Sequence, residues 1–71
     1  MSKMKLLAVV ALLEDLPVRG LRRGQVGTIV EEFGQGAYEV EFSDGDGQTY
    51  AMAALRADQL MKLLHEPNAA R

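Results

Sequence analysis

Tyr38, Val40 and Phe42 alternate with Glu39 and Glu41. This period-two pattern marks a strand with one face in a core and the other in water. Residues 37–43 are therefore predicted as a strand, the clearest element of the chain. Residues 25–33 read as a second strand, with Val26, Thr28 and Val30 facing one way and Gly27, Ile29 and Glu31 the other. Gly34-Gln35-Gly36 between them has the length and residue types of a hairpin turn. A hairpin centred on Gln35 sets Val30 opposite Val40, Thr28 opposite Phe42 and Glu31 opposite Glu39. In that register core-facing residues meet core-facing residues, as a half-buried sheet requires. Gly27 lacks a side chain, which suggests a bulge or a close backbone approach there.

The run at residues 6–13 is apolar at every position. Its length suits a strand buried on both faces, whereas its Leu and Ala content suits a short helix. It is assigned to a strand. Leu16-Pro17, Gly20 and Gly24 then make residues 16–24 a long, locally basic loop. Ser43-Asp44-Gly45-Asp46-Gly47 is a second turn, leading to a strand at 48–55 whose two faces are both apolar. Ala57-Asp58-Gln59 predicts one helical turn, and residues 60–64 a last short strand. The expected fold is all-β: a small SH3-like barrel of five strands with a short helical turn before the last. Closing a barrel removes exposed edges from so short a chain. Residues 1–5 read as an N-terminal tail, 6–64 as the barrel and 65–71 as a disordered C-terminal tail.

Composition narrows the function. The chain has 71 residues, so one domain with a small core is expected. It has no cysteine and a single histidine, His65, which removes disulfides and argues against a zinc site. Self-association is then a common remedy for a marginal core. The net charge of −2 lacks the basic excess usual for proteins that grip nucleic acid by its phosphates. Lys3 and Lys5 before the apolar run imitate a signal peptide, but Glu14-Asp15-Leu16-Pro17 follows in place of a cleavage site. The run is also far shorter than the ~20 residues of a membrane helix. A cytoplasmic protein without membrane contact is expected.

The segments Val9 to Pro17, Gly20 to Glu31, Tyr38 to Phe42 and Gly47 to Ala51 resemble a bacterial family of short proteins classed as a domain of unknown function. The core of the likeness is Leu16-Pro17-x-x-Gly20-Leu21-x-x-Gly24-Gln25-Val26-Gly27-Thr28. The resemblance implies an SH3-like barrel and no established activity. Family members occur as single-domain reading frames in mobile or variable gene neighbourhoods, some beside toxin-like genes, which hints at an antitoxin or immunity role. More loosely, Gly24-x-Val26-Gly27-Thr28-Ile29-Val30 is similar to the KOW element of ribosomal and transcription-factor barrels.

The side chains available for chemistry are few. Ser2 and Ser43 lie in a tail and a turn, and His65 has no evident orienting partner, so the chain is read as a non-enzyme. Asp44-Gly45-Asp46-Gly47 starts like a calcium loop. The positions where such a loop needs glycine and glutamate hold Thr49 and Leu55, so a plain turn is expected and no metal or cofactor is assigned. Arg19, Arg22 and Arg23 form the basic cluster, able to hold phosphate or a carboxylate if it is more than a solvated loop. Glu31, Glu39 and Glu41 are expected on the outer face of the hairpin with Ile29 as an apolar centre. A basic partner docked there would relieve their repulsion. The expected partners are a protein, or a second copy in a homo-oligomer, with nucleic acid as the alternative.

Overall fold

The computed structural model describes residues 4–64. The tail expected at 65–71, and most of the one at 1–5, lies outside them. Five strands form: β1 (Val9–Leu12), β2 (Val26–Gly34), β3 (Ala37–Ser43), β4 (Thr49–Arg56) and β5 (Leu60–Lys62). Two single 3-10 turns punctuate them, η1 (Pro17–Arg19) and η2 (Ala57–Gln59). All neighbouring strands are antiparallel, and the sheet order is β4-β3-β2-β1-β5. The fold is all-β, with the expected helical turn before the last strand. The ladders leave β4 and β5 as the two edges, joined directly by η2.

β3 behaves as its alternation predicts. Tyr38, Val40 and Phe42 are buried, while Glu39 and Glu41 are partly exposed. The core cluster around them includes Val10 and Leu12 of β1, Ile29 of β2, Leu55 of β4 and Leu60 of β5. Leu55 and Leu60 belong to opposite edges, so the sheet curls around a single core. Leu21 enters the same core from the β1–β2 loop, at the end of an isolated bridge with Leu16. That loop is anchored inward even though most of its residues are exposed.

β2 departs from its predicted register. At the turn, Gln35 and Gly36 have φ of 57° and 77°, the paired left-handed conformation of a two-residue hairpin. Glu31 pairs with Glu39 as expected, but Ile29 pairs with Val40 and Gly27 with Phe42. Val30 is an extra residue, a bulge between Ile29 and Glu31. One inserted residue reverses the facing of everything before it. Gly27 and Ile29 therefore turn inward, and Val26, Thr28 and Val30 do not. The tight packing at Gly27 favours this phase. A Cβ there would lie 2.7 Å from Val40 Cγ1 and 2.9 Å from the Glu41 carbonyl oxygen.

β1 is shorter than the apolar run that predicts it. It spans four residues, and Leu6 and Leu7 before it are exposed. β5 likewise stops at Lys62, and Leu64 is exposed. Gln59, only 8% exposed, is a buried polar residue with both ends of its amide used. Its Oε1 accepts from the Arg56 backbone N–H at 2.9 Å, and its Nε2 donates to Glu14 Oε2 at 3.0 Å. This side chain fastens η2 to the segment that follows β1.

Candidate interaction surface

The curled sheet turns one face to its core and the other outward. On the outward face, residues paired across strands form rows. Ala11 of β1 pairs with Met61 of β5 on one side and Val26 of β2 on the other. Met61 is 48% and Val26 45% exposed, yet the alanine between them is only 6% exposed and does not belong to the core cluster. Its neighbours cover it, so the three make a continuous apolar row. The next row runs Val9, Thr28, Glu41, Met52 across β1 to β4. A third joins Glu31, Glu39 and Ala54. Same-face rows lie ~7 Å apart along a strand, so the apolar row is about 7 Å from the row of Glu41 and about 14 Å from that of Glu31 and Glu39.

This arrangement revises the expected site. Ile29 is fully buried against Val40 and is no part of the surface, because the Val30 bulge turns it inward. Glu31, Glu39 and Glu41 do share the outward face, and Val26, Ala11 and Met61 supply the apolar element instead. Glu41 is braced by Thr49, whose Oγ1 donates to Glu41 Oε2 at 2.7 Å. Glu31 and Glu39 stand directly opposite one another, a like-charge pair that costs a few tenths of a kcal/mol. Sequence reading missed the apolar row because its members come from three strands and carry no shared motif. The alternation of β1 read outward through Val9 and Ala11 was the available signal.

The basic cluster is divided. Arg19 lines a groove of about 330 Å³ between residues 16–19 and residues 54–56, together with Gln59. Arg22 and Arg23 do not line it. Their backbone N–H groups are held instead by Gln25 Oε1 and Asp15 Oδ1. All three arginines are exposed, but the Asp15 carboxylate sits against the Arg23 backbone and reduces the local positive field. The Asp44 turn is likewise committed to itself. Asp44 Oδ1 accepts from the Asp46 and Gln48 backbone N–H groups at 2.9 and 3.0 Å. No group of acidic or histidine side chains suited to a metal ion occurs among the described residues. No helix among them is long and apolar enough to cross a membrane.

Of the aromatic residues, Tyr38 and Phe42 are buried, while Phe33 and Tyr50 are about half exposed. Tyr50 is the extra residue where the β3–β4 register shifts between Phe42 and Ser43. Its ring lies 6.4 Å from that of Phe42, on the core side of the sheet, and its hydroxyl accepts from Gln25 Nε2 at 3.1 Å. A family model described as Domain of unknown function (DUF4926) matches residues 6–62. No curated protein and no solved structure matches the chain.

Proposed function

The chain belongs to this family, whose description assigns no activity, and from its surface we propose that it is a non-catalytic protein-interaction module. The partner is a protein that presents an apolar anchor beside lysine or arginine. The observation that carries this reading is the outward face, where the Met61–Ala11–Val26 row lies one row from Glu41 and two rows from Glu31 and Glu39. An apolar centre excludes water, and the neighbouring charge selects for sign and steers encounter. A curled five-stranded sheet whose edges are joined by one 3-10 turn suits an SH3-like scaffold. A cytoplasmic accessory or antitoxin-like role fits a small domain that acts by occupying its partner's surface.

The test is co-purification from the native host, followed by titration of the identified partner. Val26→Asp and the double variant Glu39→Lys/Glu41→Lys should each weaken binding at least about tenfold, roughly 1.4 kcal/mol. Arg22→Glu/Arg23→Glu should leave it unchanged. A partner whose affinity ignores the outward-face variants would remove this reading. The second reading, a KOW-like nucleic-acid binder, draws on the exposure of Arg19, Arg22 and Arg23. It requires an RNA or DNA complex at low salt, where phosphate contacts are strongest, and loss of that complex in the arginine variant.

A further inference from the structure

β4 is an edge strand with few of the features that normally protect one. It is eight residues long, contains no proline or lysine, and carries a single charge, Arg56, at its end. Protected edges are usually short, charged or covered. The hydrogen-bond phase of the β3–β4 ladder shows which backbone groups are open. The Ala57 N–H donates to the Gly36 carbonyl. Bonded pairs recur every second residue in an antiparallel ladder, so Leu55 and Ala53 bond to β3 through Tyr38 and Val40. The N–H and C=O of Met52 and Ala54 therefore point off the sheet. No loop backbone bonds to them among the described residues.

A further feature adjoins this open edge. The groove between residues 16–19 and residues 54–56 lies up to three residues after Ala53. We infer that β4 pairs with β4 of a second copy, antiparallel about a two-fold axis through Ala53. Met52 then exchanges both backbone bonds with Ala54 of the second copy, and Ala54 with its Met52, giving about four new hydrogen bonds. The same axis carries Tyr50 of each copy to the Arg56 end of the other. That end borders the groove lined by Pro17, Val18, Arg19, Leu55 and Arg56, where Arg56 Nε donates to Asp58 Oδ1 at 3.0 Å. Val18 is 98% exposed in the single chain and would be covered. The interface is self-complementary, as a two-fold dimer requires. The pairing uses the backbone edge of β4, whose Met52 and Ala54 side chains share the outward face with Glu41 and Glu39. The reading proposed above uses the side chains of those glutamates and of the Val26 row, so neither reading depends on the other.

The chain has no native cysteine, so the register can be read by cross-linking. Met52→Cys and Ala54→Cys variants are mixed in equal amounts and oxidised. The proposed register puts these two positions opposite one another at ~5.5 Å between Cα atoms, within disulfide range. The mixed disulfide should exceed its statistical share several-fold. Predominant Met52→Cys or Ala54→Cys homodisulfides, or a statistical mixture, would overturn the register. Sedimentation of the unmodified chain should show a concentration-dependent dimer, and a monomer at about 1 mM would overturn the pairing itself. Met52→Pro removes only an N–H that points off the sheet, and it should weaken association about tenfold or more. Circular dichroism checks that the variant folds, and the cross-linking result stands if it does not. Glu39→Lys/Glu41→Lys should leave the dimer intact, so this proposal and the outward-face reading fail separately.

Discussion

Replacing Gly27 by alanine tests the packing that sets the β2 phase. Gly27 does not have positive φ, so alanine can adopt its backbone conformation without torsional strain. On that ground alone the change would stabilise by about 0.4–1 kcal/mol, through reduced freedom of the unfolded chain. Space decides otherwise. The new methyl would meet Val40 Cγ1 at 2.7 Å, the Glu41 carbonyl oxygen at 2.9 Å and Phe42 Cδ2 at 3.0 Å. The first and third belong to fully buried side chains, and the second is backbone of the interior strand β3. None can withdraw without moving the sheet, and overpacking of this kind costs about 1–3 kcal/mol. The expected net loss is about 1–2 kcal/mol, a large share of the roughly 4–10 kcal/mol available to a domain this size. Tm should fall by about 5–15 °C. Urea unfolding followed by far-UV circular dichroism measures the loss, with Gly45→Ala as control. At Gly45 a methyl would meet no atom within 4 Å, and φ is not positive, so its change should stay within about 0.5 kcal/mol. A Gly27→Ala midpoint equal to or above that of the unsubstituted chain would refute the reasoning.

Three other substitutions address the remaining claims. Ile29→Ala should cost about 2–5 kcal/mol in the same urea assay, whereas a residue on the outward face would lose little. Gln59→Ala should cost about 1–3 kcal/mol, because it leaves the Arg56 N–H without its acceptor in a partly buried site; an unchanged midpoint would mean that water replaces it freely. Glu39→Lys should stabilise the chain by about 0.2–1 kcal/mol by turning a like pair with Glu31 into an opposite one. That gain should shrink as salt is added, and a salt-independent effect would point to another cause.

Much of the fold was legible because local chemistry and tertiary demand agree there. β3 forms over the residues its alternation marks, and the Gln35-Gly36 turn uses the conformation its residues favour. The face of β2 was not legible. Val26, Thr28 and Val30 alternate as convincingly as the residues between them, and only the fit of Gly27 against Val40 and Phe42 chooses between the two phases. That choice depends on contacts between strands, which a single strand's pattern does not contain. The site followed the same division. Glu31, Glu39 and Glu41 were placed correctly by period two, while Ile29 was displaced by one bulged residue. The ends of β1 and β5 were overrun because apolar composition outlasts the regular strand: Leu7 adopts φ of 70° and its side chain is exposed, although its N–H still donates to the Ile29 carbonyl at 2.7 Å.

The strand order also has a kinetic side. β2, β3 and β4 are consecutive in the chain and neighbours in space, so each pairing closes only a short loop. β5 must find β1, joining Leu60 to Leu12 and Lys62 to Val10 across nearly the whole chain. Loop-closure entropy and the dependence of folding rate on contact separation both place that encounter last. The meander can assemble as an early unit, and docking of β5 beside β1 is the step that completes the domain.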